Sequence, residues 1–112
     1  MHTDDLDRAQ LPELFQTEWC PASRRVRPRL TELDVSYVCR QVPVDRDDRE
    51  TLVQVTGDDS VPALLSADGR ALVGEDEIYA YLDERYEEPA GAEAHRLKAR
   101  KARQRELEEA TR

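Results

Sequence analysis

A short apolar run that ends in a cysteine–proline pair limits what this chain can fold into. In Leu14-Phe15-Gln16-Thr17-Glu18-Trp19-Cys20-Pro21-Ala22-Ser23-Arg24-Arg25-Val26 the run reads as a strand, and a helix starts at the cysteine. Pro21 suits the first helical position, where its missing N–H leaves no hydrogen bond unmade. The junction puts the Cys20 sulfur at a helix N-terminus, where unpaired N–H groups and the helix dipole favour negative charge. A thiol in that place ionises more readily, and the thiolate is the reactive form. Arg24 and Arg25 add positive potential within one turn. The stretch points to thiol chemistry or to the binding of a thiol ligand.

The rest of the chain supplies partners for that junction. Leu11–Gln16 is the first strand, with Pro12 tolerated at its start. Pro21–Leu33 is the first helix, because Val26, Leu30 and Leu33 recur at helical spacing. Pro28 inside it predicts a kink or an irregular first turn. Val35–Val42 alternates and is rich in β-branched residues, which predicts the second strand. Cys39 shares the Val35–Tyr37 face of that strand and is read as a core residue. A polar connection, Pro43–Asp48, leads to a short helix over Arg49–Thr56 that stops at Gly57. Val61–Ser66 is the third strand, Asp68-Gly69 a hairpin turn and Arg70–Val73 the fourth strand. Gly74-Glu75-Asp76-Glu77 opens a helix with acidic residues in its first turn, and Ile78, Tyr81, Leu82 and Tyr86 mark its buried face. Pro89-Ala90-Gly91 breaks it.

Ala92–Arg112 has high helix propensity but only Leu97 and Leu107 as large apolar residues. Three outcomes stay open for it: a solvated helix held by pairs such as Arg105 with Glu109, a frayed tail, or a helix docked on a partner. The order βαβαββα predicts an α/β domain at 11–88, with a four-stranded mixed sheet flanked by helices. A disordered leader at 1–10 and a charged helical tail at 89–112 frame it. The first two strands, joined through a helix, are expected to be parallel.

Charge narrows the function. The net charge is -8 over 112 residues. Residues 1–92 carry 21 Asp and Glu against 10 Lys and Arg, whereas residues 93–112 carry 4 against 7. An acidic body argues against nucleic-acid binding, which needs phosphate neutralisation, and the basic tail leaves only a small opening for it. Two cysteines, Cys20 and Cys39, do not make a disulfide framework. The first ten residues are polar and acidic, with no secretory signal, and no apolar run approaches a membrane span. A reducing cytoplasm is the expected setting. His2 and His95 lie in the tails, and without a His/Cys cluster no metal site is expected.

The order of elements, with Cys-Pro at the first strand–helix junction and Val61-Pro62 before the third strand, resembles the thioredoxin fold. More closely it resembles glutaredoxins and the N-terminal domain of soluble glutathione S-transferases. Three features between about Leu11 and Tyr86 carry the resemblance: Trp19 to Val26, Gly57 to Leu64 with its Val61-Pro62, and Gly74 to Ile78 followed by Tyr81-Leu82. The resemblance implies that Cys20 is the redox nucleophile or contacts the thiol of glutathione. It implies that Pro62 is cis, and that the backbone of Val61 and Pro62 pairs with the peptide part of the thiol. It implies that Gly74, Glu75 and Asp76 hold the γ-glutamyl end.

The departures shape the expected function. Where dithiol glutaredoxins carry a second cysteine, this chain has Ser23, so it looks monothiol-like. Its Cys-Pro-Ala-Ser differs from the Cys-Gly-Phe-Ser of iron–sulfur glutaredoxins. Transferases need an all-helical second domain for the electrophile, and with one possible helix after residue 88 a complete transferase is not expected. The leading expectation is a monothiol glutaredoxin-like protein that binds glutathione or a related low-molecular-weight thiol and exchanges disulfides through Cys20. Its candidate residues are Cys20 and Ser23 for chemistry, with Trp19, Pro21, Arg24, Val61, Pro62, Glu75 and Asp76 for the thiol ligand. Bland readings stand beside several of these. Ser23 either donates to the thiolate or satisfies the helix backbone. Arg24 and Arg25 either hold a carboxylate or form a solvated face. Glu75 and Asp76 either receive an ammonium or match the helix dipole. Two alternatives concern the whole chain. One is a non-catalytic binding module that meets a protein partner or another copy through residues 92–112. The other is an iron–sulfur carrier with Cys20 as a ligand.

Overall fold

The computed structural model describes residues 11–111; the leader expected at 1–10 lies outside them. Four strands form one mixed sheet: β1 (Glu13–Gln16), β2 (Val38–Gln41), β3 (Ala63–Leu65) and β4 (Ala71–Val73), in the order β2-β1-β3-β4. β1 and β2 are parallel, and the other two pairings are antiparallel. The helices are α1 (Pro21–Glu32), α2 (Glu50–Thr56), α3 (Glu75–Arg85) and α4 (Ala92–Ala110), with a 3-10 turn at Arg46–Asp48 where a plain connection was expected. The expected four-stranded, thioredoxin-like α/β architecture forms, with the charged helix at its C-terminal end.

Period-two alternation places the core on both faces of the sheet. Register aligns Leu14 with Leu64 and Leu64 with Leu72, so one face carries a row of leucines. Val26, Leu30 and Leu33 of the α1 segment and Ile78, Tyr81 and Leu82 of α3 cover that row. On the opposite face Phe15 and Ala63 pack with Val42 and with Leu52 of α2. The result is α1 and α3 on one side, α2 on the other, and β1 and β3 in the middle.

Helix ends account for most boundary differences. α1 continues through Pro28 to Glu32, then Asp34 turns left-handed at φ 57. The N–H of Asp34 bonds to Thr31 O at 3.0 Å and that of Val35 to Leu30 O at 2.9 Å, the pair of bonds that closes a Schellman motif. Val35 therefore caps α1 instead of starting β2, and the strand begins three residues later than the expected Val35–Val42. Cys39 is a second correction: it is exposed, because β2 is an edge strand whose outer residues have no covering layer. The Asp68-Gly69 hairpin forms, with Gly69 at φ 93 and its N–H bonded to Ser66 O at 3.0 Å. Asp68 keeps a negative φ, so the connection is the longer, bulged kind rather than a two-residue turn. Arg49, expected to begin the second helix, is instead a buried cap. Its guanidinium donates to Pro43 O, Val44 O and Asp59 O at 2.9, 3.1 and 2.8 Å and ties two loops together.

α4 is a continuous helix that touches the domain near its start. Ala92 is buried, and Arg96 reaches Glu32 at 3.2 Å and Glu88 at 2.8 Å. Arg29 of α1 meets the same two carboxylates at 3.1 and 2.7 Å, and Asp83 at 3.1 Å. No ion pair joins Arg105 to Glu109 among the described residues; the i,i+4 contact there is Gln104 to Glu108 at 3.5 Å. Leu97 and Leu107 are 48% and 62% exposed. No described helix is long and apolar enough to cross a membrane.

Candidate functional site

β1 delivers the chain to the C-terminal edge of the sheet, and a tight turn reverses it into α1. Cys20 N–H bonds back to Thr17 O at 3.4 Å, and Cys20 O accepts the N–H of Arg24 at 3.1 Å. Cys20 is thus the residue that caps α1, in extended backbone, with Pro21 opening the helix. Its partly buried thiol points across the sheet edge and donates to Val61 O at 3.9 Å. Val61 precedes Pro62, and the bond between them is cis. The carbonyl of Pro62 is taken on its other side by the Gly74 N–H at 2.9 Å. Gly74 sits at φ 90 and ψ 156, a conformation left to glycine, and starts α3 there.

Ser23 is 0% exposed and lies beneath the thiol. Its Oγ accepts the buried N–H of Thr17 at 3.4 Å, which leaves the hydroxyl proton free to donate. Partial burial pushes the Cys20 thiol up. The Ser23 hydroxyl, the N–H groups of Ser23 and Ala22, and the positive charge of Arg25 outweigh it, and the thiol ends below its ordinary value. The N–H groups of the first helical turn thus act together with the Ser23 hydroxyl in lowering this thiol.

The flanking charges take an arrangement that spacing along the chain did not reveal. Arg25 grips Glu75 through two bonds, Nε to Oε2 at 2.6 Å and Nη2 to Oε1 at 2.9 Å. The hydrogen-bonded guanidinium holds Glu75 below the usual carboxylate range, against the opposing cost of burial. Bidentate pairing of this kind suits arginine and spans α1 and α3, beside Cys20. Asp76, one residue on, is exposed, and so is Arg24. Trp19 is 60% exposed at the turn before the cysteine. Cys20, Ser23, Pro21, Val61, Pro62 and Glu75 thus come together around one edge of the sheet, while Trp19, Arg24 and Asp76 stand at its rim without touching the thiol. The residue that the sequence undervalued is Arg25. A signal existed, a second arginine one turn into a helix that begins at a thiol, but its partner lies fifty residues away.

The profile for the glutathione S-transferase N-terminal domain matches residues 14–90. No curated protein matches the chain. Solved structures do. A glutathione S-transferase from Rhodospirillum rubrum is 29% identical, with a TM-score of 0.59, over 78% of this chain and 42% of that one. A trimeric glutathione transferase from Leishmania is 22% identical, with a TM-score of 0.63, over 72% of this chain and 18% of that one. Glutaredoxin 2 from Salmonella typhimurium, solved with glutathione, is 23% identical, with a TM-score of 0.58, over 66% of this chain and 33% of that one. The chain spans less than half the length of each of these proteins. With two thirds of its length under the profile, the chain belongs to the glutathione S-transferase N-terminal domain family.

Proposed function

We propose that the chain binds glutathione or a related low-molecular-weight thiol at Cys20 and carries out monothiol disulfide exchange there. The observation that carries this reading is the thiol itself: a cysteine that caps a helix, ionises more readily than a free thiol and faces the Val61 carbonyl. The residues around it suit a zwitterionic peptide thiol. Backbone polar groups at Val61 lie beside the sulfur, and a guanidinium–carboxylate pair at Arg25 and Glu75 lies where an ammonium and a carboxylate would each find an opposite charge.

In the proposed reaction the Cys20 thiolate attacks the glutathionyl sulfur of a mixed disulfide. A bond forms between the two sulfurs, and the other thiol leaves as thiolate and takes a proton from water. A second glutathione thiolate then attacks the glutathionyl sulfur held on Cys20. Glutathione disulfide is released and the Cys20 thiolate returns. Ser23 has no sulfur with which to resolve the intermediate. Its proposed part is to donate its hydroxyl proton to the thiolate.

The test is alkylation rate against pH in a Cys39→Ser background, with and without glutathione. The background matters because Cys39 is exposed and would react as well. The expected result is a midpoint below that of a free thiol, near about 8.5, and protection by glutathione. A midpoint at the free value with no protection refutes the reading. A second reading, an interaction module that uses α4, draws on Leu97 and Leu107, both exposed among the described residues. It predicts that Cys20→Ser leaves partner binding unchanged.

A further inference from the structure

Although the chain carries a net charge of -8, an open groove among its described residues has an entirely basic charged lining. It has a volume of about 700 Å³ and runs between α1 and α4, starting beside Pro21. Arg24, Arg27 and Tyr37 line one side, and His95, Ala99 and Arg103 the other. No carboxylate among the described residues lines it. Two of the lining arginines are already paired, Arg27 with Glu18 at 3.0 Å and Arg25 with Glu75 at 2.6 Å. Arg24 and Arg103 make no ion pair among the described residues. Beside the groove, Arg96 of α4 pairs with Glu32 of α1, and Arg29 and Arg96 share Glu88, which joins the two helices.

We infer that this groove is a docking site for an acidic, extended peptide segment of a partner protein. Charge complementarity and dimensions both favour it. From Arg24 to Thr31 α1 rises about 10 Å, and from His95 to Arg103 α4 rises about 12 Å. Side chains on one side of an extended peptide recur at about 6.6 Å, so two or three successive carboxylates span the cations of the groove. Arginine forks match carboxylates, and Pro28, Ala99 and Tyr37 give the peptide backbone and its small apolar residues a surface to lie on. A compact phosphate is less suited to this site. Phosphate sites gather several N–H donors on one point, often at a helix N-terminus. Here the first free N–H groups of α1 are turned to the Cys20 sulfur, and the cations are strung along two helices.

The inference does not depend on thiol chemistry, so its test uses the Cys20→Ser chain. A fluorescein-labelled peptide of alternating glutamate and alanine is titrated with the full chain, and its anisotropy is followed. Saturable binding that weakens as salt rises is expected. Arg24→Glu with Arg103→Glu weakens it at least about tenfold, the response to like charges set against a ligand. Lys98→Glu with Arg100→Glu, the same change of charge on α4 outside the groove lining, weakens it far less. Circular dichroism checks that both variants fold, and the milder Arg24→Gln with Arg103→Gln keeps the comparison if the reversals do not. Equal weakening by the two double variants, absence of saturable binding, or tighter binding of ATP than of the peptide overturns the inference.

Discussion

Replacing Ser23 by alanine separates what this residue does for the fold from what it does for the thiol. Ser23 is fully buried, and its Oγ is the acceptor for the buried N–H of Thr17 at 3.4 Å. Alanine leaves that N–H without a partner, at a cost of about 1–3 kcal/mol. The bond is long, which places the loss near the lower end. Alanine returns about 0.5 kcal/mol through its better helix propensity. The net expectation is a destabilisation of about 0.5–1 kcal/mol, seen in thermal unfolding as a fall of about 2–8 °C in Tm for a domain of this size. The second readout is the pH dependence of Cys20 alkylation, measured below the melting range in a Cys39→Ser background. The Ser23 hydroxyl is the largest of the groups that favour the thiolate, so the midpoint moves upward in the variant. A variant that loses stability but alkylates with an unchanged midpoint would refute the role given to the hydroxyl proton. One that keeps full stability would show that Thr17 N–H has another acceptor.

Two further outcomes follow from the packing and the ion pairs. Leu64→Ala, at the centre of the leucine row and 0% exposed, should cost about 3–5 kcal/mol by denaturant titration; a cost under about 1 kcal/mol would mean that α1 and α3 do not pack on the leucine row as described. Arg96 and then Arg29 hold Glu88 down to about 2, below the ordinary carboxylate value of 4.5. A carboxylate lowered by folding stabilises the docked helix fully above its unfolded value and loses that contribution as pH falls through the folded one. The chemical shifts of Ala92 to Arg96 should therefore change between pH 4.5 and about 2 as α4 loosens, and shifts that stay constant through that window would show that other contacts hold the helix.

What the sequence disclosed depended on whether the deciding partner was local. The Cys-Pro junction, the αL stop at Gly57, the Asp68-Gly69 hairpin and the glycine that opens α3 are each set by backbone preferences within a few residues. All four appear where they were expected. Val35 misled because a β-branched residue suits a strand and also suits the apolar position after a Schellman motif; the left-handed Asp34 before it decided the outcome. Cys39 misled for a different reason. Alternation identifies faces of a strand, but only the sheet order shows that β2 lies at an edge with its outer residues uncovered. Arg49 shows no local signal at all, since its three carbonyl partners come from two separate loops. The pairing of Arg25 with Glu75 is likewise tertiary. Residue type foretold charges near the thiol but not that they would meet each other.

The two carbonyls on either side of Pro62 serve different masters. That of Val61 meets the Cys20 thiol, and that of Pro62 holds the N–H of Gly74. One short strut thus fastens the sulfur at one end and the root of α3 at the other. Arg25 and Glu75 add a brace between the same two helices. Displacements of α3, whether from a substitution at Ile78 or Leu82 or from strain passed through β4, reach the thiol along this frame as well as through the core that α1 and α3 share. The alkylation rate of Cys20 then works as a gauge of distant packing. A library of core variants sorted by that single chemical signal would map which parts of the domain are stiffly geared to its one buried-edge thiol and which turn freely.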